Sequence, residues 1–112
     1  MSVPHLNRKL VLEAAQRRPD GAGGATLEWQ ALGEVWAAVK AGSGRAREGA
    51  FVTLASVPYR IVVRAAPVGS PRRPRPEQRF RDGARVFRIL AVADDDPAGL
   101  YLTCFTREEV AA

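Results

Sequence analysis

The sequence has one histidine, His5, and one cysteine, Cys104. A lone cysteine closes no internal disulfide, and without ligand neighbours it makes no zinc site. It lies in Leu100-Tyr101-Leu102-Thr103-Cys104-Phe105, an apolar run, so a buried structural thiol is expected. One histidine near the N-terminus leaves acid–base catalysis few groups to position. Long apolar runs are missing as well, and none approaches the length of a membrane span. Residues Met1 to Lys9 lack the apolar core of a signal peptide, which reads as a cytoplasmic product without a membrane partner. Gly21-Ala22-Gly23-Gly24 lacks the Gly-Lys-Ser/Thr ending of a phosphate loop. Asp94-Asp95-Asp96 has no later acidic residue at the spacing of a calcium loop, and reads as a solvated turn. The expectation is a non-enzyme with no catalytic residue, no metal site and no cofactor.

What is present is globular and basic. The 112 residues favour one domain, 1–112, with one modest core, and 46% hydrophobic residues argue against disorder. The net charge is +5, and lysine is scarce: only Lys9 and Lys40 accompany 15 arginines. Seven of those, Arg72, Arg73, Arg75, Arg79, Arg81, Arg85 and Arg88, fall within residues 72–88, which concentrates the positive charge there. Arginine suits contact with phosphate or carboxylate, because its planar fork binds either through two points.

The apolar pattern has a period of two. Leu6, Leu10 and Leu12 share a parity and predict a strand, with a short helix over residues 12–17 as the rival. Asp20-Gly21-Ala22-Gly23-Gly24 predicts a hairpin turn. From Ala25 to Ala41 the odd positions Leu27, Trp29, Ala31, Val35, Ala37 and Val39 predict one buried face. Leu32 and Trp36 break that pattern around Gly33, where a bulge or bend would exchange the faces. Tyr59, Ile61 and Val63 alternate with Arg60, Val62 and Arg64 in the clearest strand, and Pro58 is expected just before it. Residues 78–81, 84–92 and 100–106 complete a meander, with turns at Asp82-Gly83 and Asp94 to Gly99 and a short polar tail from Arg107. The fold class is therefore all-β: a small antiparallel β-barrel of five or six strands with long protruding loops. The ends, 1–5 and 108–112, are expected to be loose. The loops are 42–49, polar and Gly-rich, and 67–76, whose four prolines predict an extended, partly polyproline-like segment. Loops of that kind are where binding residues concentrate. The candidate interface residues are Arg45, Arg47 and Glu48 in the first and Arg72, Arg73 and Arg75 in the second.

Several motifs occur in a telling order: Leu6-Asn7-Arg8-Lys9-Leu10, Asp20 to Gly24, Trp29, Val35-Trp36-Ala37, Gly44-Arg45-Ala46-Arg47-Glu48, Tyr59 to Arg64, Arg85 to Ile89, Ala91 to Asp94, and Tyr101 to Cys104. In order and spacing they resemble the head–tail joining (stopper, or head-closure) proteins of long-tailed phages, over residues 6 to 109. The Arg- and Ala-rich style looks like the version carried by gene transfer agents. The departure is Pro71 to Pro76, more basic and proline-rich than the general pattern. The resemblance implies a structural subunit of a homomeric ring, a hexamer with a dodecamer as the alternative. That ring would lie between the portal-bound adaptor ring and the tail terminator or tail-tube protein. It would close the DNA exit channel, with packaged double-stranded DNA as a further contact. The place implied is the bacterial cytoplasm during assembly and then the neck of the particle. The alternative is a small basic nucleic-acid-binding β-barrel. That reading needs exposed aromatic platforms, whereas Trp29, Tyr59 and Phe87 sit on the parity expected to be buried.

Overall fold

The computed structural model describes residues 4–42 and 56–109. Six strands form one antiparallel sheet: β1 (Arg8–Pro19), β2 (Ala25–Ala41), β3 (Ser56–Arg64), β4 (Arg79–Asp82), β5 (Arg85–Asp94) and β6 (Tyr101–Glu109). Their order, β1-β2-β3-β6-β5-β4, closes into a barrel because the short β4 pairs with both β5 and β1. Closure leaves the barrel itself without open edges. Inward positions fill it: Leu10, Leu12, Ala37, Ile61, Val63, Phe80, Phe87, Ile89, Leu102 and Cys104 form the core. Cys104 is fully buried, and burial pushes its thiol up to about 12, so it is inert as a nucleophile in the folded chain. The rival helix at residues 12–17 is absent, since β1 carries that stretch. β6 takes in Arg107 to Glu109, which the sequence reads as a polar tail.

Two bulges decide which side chains face out. Opposite Leu12 and Glu13, β2 contains one extra residue at Leu32–Gly33. Before the bulge the even position Leu32 packs on the core, and after it the odd positions Val35, Ala37 and Val39 do. The faces therefore exchange, and both residues that break the odd pattern obey the exchange: Leu32 turns in and Trp36 turns out, 55% exposed. The expected single buried face over residues 27–39 is corrected accordingly. Leu27 is 62% exposed, Ala31 is exposed and Trp29 is half-buried. In β5 the shift between Ile89 and Ala91 leaves Leu90 without a partner on β6, exposed beside Phe105.

Gly33 carries the first bulge at φ +152°, and a Cβ there would meet nothing within 4 Å. Gly33→Ala is expected to destabilise by about 1–2 kcal/mol, the backbone strain less what alanine gains by stiffening the unfolded chain. A urea melt checks this. With no steric clash available, the loss would report backbone conformation alone.

Strand direction sorts the connections into two ends. The β1–β2 hairpin, the β3-to-β4 connection and the β5–β6 turn all leave one end, called upper here. The starts of β1 and β3, the ends of β2 and β6 and the Asp82-Gly83 turn lie at the lower end. Pro58 lies inside β3, not before it, opposite Arg107. It is tolerated because β2 pairs with β3 only from Tyr59 onward, so no ladder needs the missing N–H.

Candidate assembly surfaces

The basic connection crosses the upper end from β3 to β4, strands on opposite sides of the barrel. It is not extended, as its prolines suggest, but a series of turns. The N–H groups of Ser70, Arg73 and Gln78 donate to the carbonyls of Pro67, Ser70 and Arg75. Pro71 and Pro76 occupy the second position of two of these turns, where a fixed φ is already correct. Glu77 follows at φ +77°, and its backbone is held by an N–H bond to the Ile89 carbonyl. Pro74 is buried and Gln78 nearly so, so this segment caps the barrel. The candidate arginines have separate fates. Arg73 turns inward and donates to the Ala66 carbonyl at 2.9 Å, a structural task. Arg72 and Arg75 are exposed, and among the described residues no ion pair holds either guanidinium. Arg72 borders an open groove of about 570 Å³ with Leu6, Val35, Trp36, Arg64 and Ala65. Arg45, Arg47 and Glu48 lie outside the described residues.

Most of the other arginines concentrated at 79–88 are neutralised. Glu13 accepts from Arg79 at 2.7 Å and from Arg81 at 2.8 Å, with its own side chain only 6% exposed. Burial pushes the Glu13 carboxyl up, but the hydrogen bonds from Arg81 and Arg79 outweigh it and the net shift is downward. The Arg79 guanidinium also lies 4.0 Å from the centre of the Trp29 ring. Arg85 binds Glu108 through two nitrogens, at 2.7 and 3.1 Å, and holds that carboxyl below its ordinary value. Arg88 pairs with Glu77 at 2.9 Å, and Arg8 pairs with Asp82. Sequence reading missed the Glu13 cluster. The available signal was a lone acid in an apolar strand with a dense run of arginines elsewhere, but only the barrel brings residues 13, 79 and 81 together.

Of the three acids at 94–96, the Asp95 and Asp96 carboxylates serve their turn. Asp96 Oδ1 accepts from the N–H groups of Leu100 and Tyr101, and Asp95 Oδ1 accepts from the Thr103 hydroxyl. Among the described residues no group of acids, histidines or cysteines could hold a metal ion. Phe87 is fully buried and Tyr59 meets it edge-on at 5.3 Å, as their parity predicts. Trp29 departs from expectation by standing on the outer face beneath Arg79.

Three comparisons bear on these surfaces. A family model described as phage head completion protein matches residues 1–109. A chain from the virion of a native gene transfer agent particle is 72% identical, covering 98% of this chain and 100% of that one, with a TM-score of 0.81. Protein SF1141 from Shigella flexneri 2a is 20% identical with both chains fully covered and a TM-score of 0.70, which shows a shared fold alone. Among curated proteins no sequence matches. With a family match from end to end of the barrel, and with arginines spent on structure and surface, the chain belongs to the phage head completion proteins, structural virion components and not enzymes.

Proposed function

We propose that this protein is a subunit of a homomeric ring in the neck of a gene transfer agent or similar phage-like particle. There it closes the DNA exit channel and joins the head to the tail. The observation that carries this reading is the 72% identity, over 98% of the chain, to a component of a gene transfer agent virion. The topology supports it. The basic connection with Arg72 and Arg75 crosses the upper end, and β2 ends and β3 begins at the lower one. A subunit held between two neighbouring rings needs a contact surface at each end. In this reading Arg72 and Arg75 meet an acidic surface on one neighbour, where turns fixed by proline reduce the ordering cost of binding. Arg45, Arg47 and Glu48 serve the channel or an adjacent subunit. Closing a channel is a steric task and requires no catalytic group.

Particles produced without this protein should have filled heads that lose DNA or fail to join tails. Intact, tailed, infectious-type particles from such cells would refute the proposal. Replacing the two exposed arginines, R72E with R75E, should leave the thermal midpoint unchanged while the yield of tailed particles falls, because neither guanidinium supports the fold.

A further inference from the structure

Beyond Glu13, β1 loses β4 as a neighbour, and β2 meets β3 only from Ala37 onward. The pairs Ala14↔Gln30 through Pro19↔Ala25 therefore form a two-stranded arm that projects past the barrel. A two-stranded ribbon is marginal in water by itself. This arm is amphipathic. Ala15 stands opposite Trp29 and Arg17 opposite Leu27, with Ala31 on the same face. The other face carries Gln16, Arg18, Glu28 and Gln30, knitted by the Arg18–Glu28 ion pair and a Gln16–Gln30 hydrogen bond. The polar face is thus satisfied within the arm, while the apolar face holds Leu27 at 62% exposure with Arg17 beside it. No carboxylate pairs with Arg17 among the described residues.

A second exposed apolar patch lies across the barrel. In the closed order β1 is opposite β6, and β2 is opposite β5. On β5 and β6 the bulge sets Leu90 outward next to Phe105, which is 42% exposed, with Ala91 and Ala93 also exposed. This face ends in Asp94, Asp95 and Asp96, whose carboxylates have no ion pair among the described residues, with Leu100 60% exposed beside them. One chain thus presents two unlike apolar patches on opposite sides: on the arm Leu27 stands beside Arg17 while Arg79 covers Trp29, and the Leu90–Phe105 patch, bordered below by Arg60 and Arg107, runs up to the acidic Asp94–Asp96 turn. Unlike patches on one chain satisfy each other only head to tail, which is the arrangement that builds rings.

We propose that the β1–β2 arm of one copy packs its Ala15–Leu27–Trp29 face on the Leu90–Phe105 face of a second copy, with Arg17 directed to the Asp94–Asp96 turn. This rests on the ring reading above and names the contact that would make the ring. The test is cross-linking in assembled particles. Cells are supplied with a full-length chain carrying L27C and F105C together, both exposed positions, and the purified particles are treated with a short bismaleimide. The native Cys104 is fully buried, so it does not compete. The expected result is a ladder of covalent multimers, absent when either substitution is present alone. Multimers from L27C alone would mean that arm meets arm, and would overturn the proposal. Absence of a ladder from the double variant, while a long amine-reactive cross-linker still yields homomultimers, would overturn the arm contact and leave the ring standing. Absence of homomultimers with both reagents, together with one copy per particle by quantitative mass spectrometry, would sink the ring and the arm contact together.

Discussion

Phe80→Ala should lower the unfolding free energy by about 3–5 kcal/mol, the range for removing a fully buried aromatic ring. Phe80 is 0% exposed and stands directly opposite Phe87, also 0% exposed, across the β4–β5 ladder. The position matters beyond its area. β4 has four residues and meets β1 through three residue pairs, Val11↔Arg81, Leu12↔Phe80 and Glu13↔Arg79. That ladder is the seam of the barrel, so loosening it exposes an edge on β1 and another on β4. The loss is a large fraction of the roughly 5–15 kcal/mol that holds an ordinary domain together. Denaturant unfolding measures it, and hydrogen exchange should show the amides of residues 79–82 losing protection first. Phe80→Leu, which keeps most of the volume, should cost about 1.5 kcal/mol or less. Leu27→Ala, on the exposed arm, should change stability by no more than about 0.5 kcal/mol. If all three variants lost stability equally, the seam would not be the weak point.

The alternation of apolar residues made most of this fold legible, because a strand's side chains must alternate between faces. Tyr59, Ile61 and Val63 point inward as their parity says, and Asp20 closes the first turn by accepting from the N–H groups of Ala22 and Gly24. The faces of β2 were not readable in full. A bulge inserts a residue without changing composition, so Leu27 and Val35 share a parity in sequence and opposite faces in space. Leu90 was hidden for the same reason. The concentration of arginine at residues 72–88 was visible, but not its division of labour. Arg79, Arg81, Arg85 and Arg88 find carboxylates at positions 13, 77 and 108, reached across the barrel wall. Among the described residues Arg72 and Arg75 find none. The prolines that suggested an extended segment instead set the corners of successive turns, since a fixed φ fits either geometry and only the hydrogen bonds choose.

Glu13→Gln should be the most damaging polar substitution, at about 2–3 kcal/mol. Removing one member of a fully buried ion pair costs about 3–5 kcal/mol, and here Arg79 and Arg81 keep some water, which reduces it. Glu13 is 5% exposed and holds both guanidiniums, with Arg79 19% and Arg81 41% exposed at their side chains. The amide keeps the shape but offers N–H donors to donors and leaves two adjacent positive charges without their counter-ion. The variant also has a distinctive pH signature. The native Glu13 carboxyl is lowered from its ordinary value of 4.5, as is that of Glu108 beside Arg85. A carboxylate depressed in the folded state binds its proton more readily when unfolded, so its stabilisation is complete above the unfolded value. It fades as pH falls through the native one. Wild-type stability should therefore drop on acidification below pH about 4.5, and the Glu13→Gln curve should be lower near neutrality and flatter over that interval. Glu108→Gln should flatten a different part of the same limb, because its partner Arg85 is separate from the Glu13 cluster. Chemical denaturation between pH 7 and pH 3 separates these outcomes. Parallel curves for wild type and Glu13→Gln would mean that the carboxylate is not ionised against its arginines. The outer face at Trp29, where Arg79 lies over the ring, would then need another source of order.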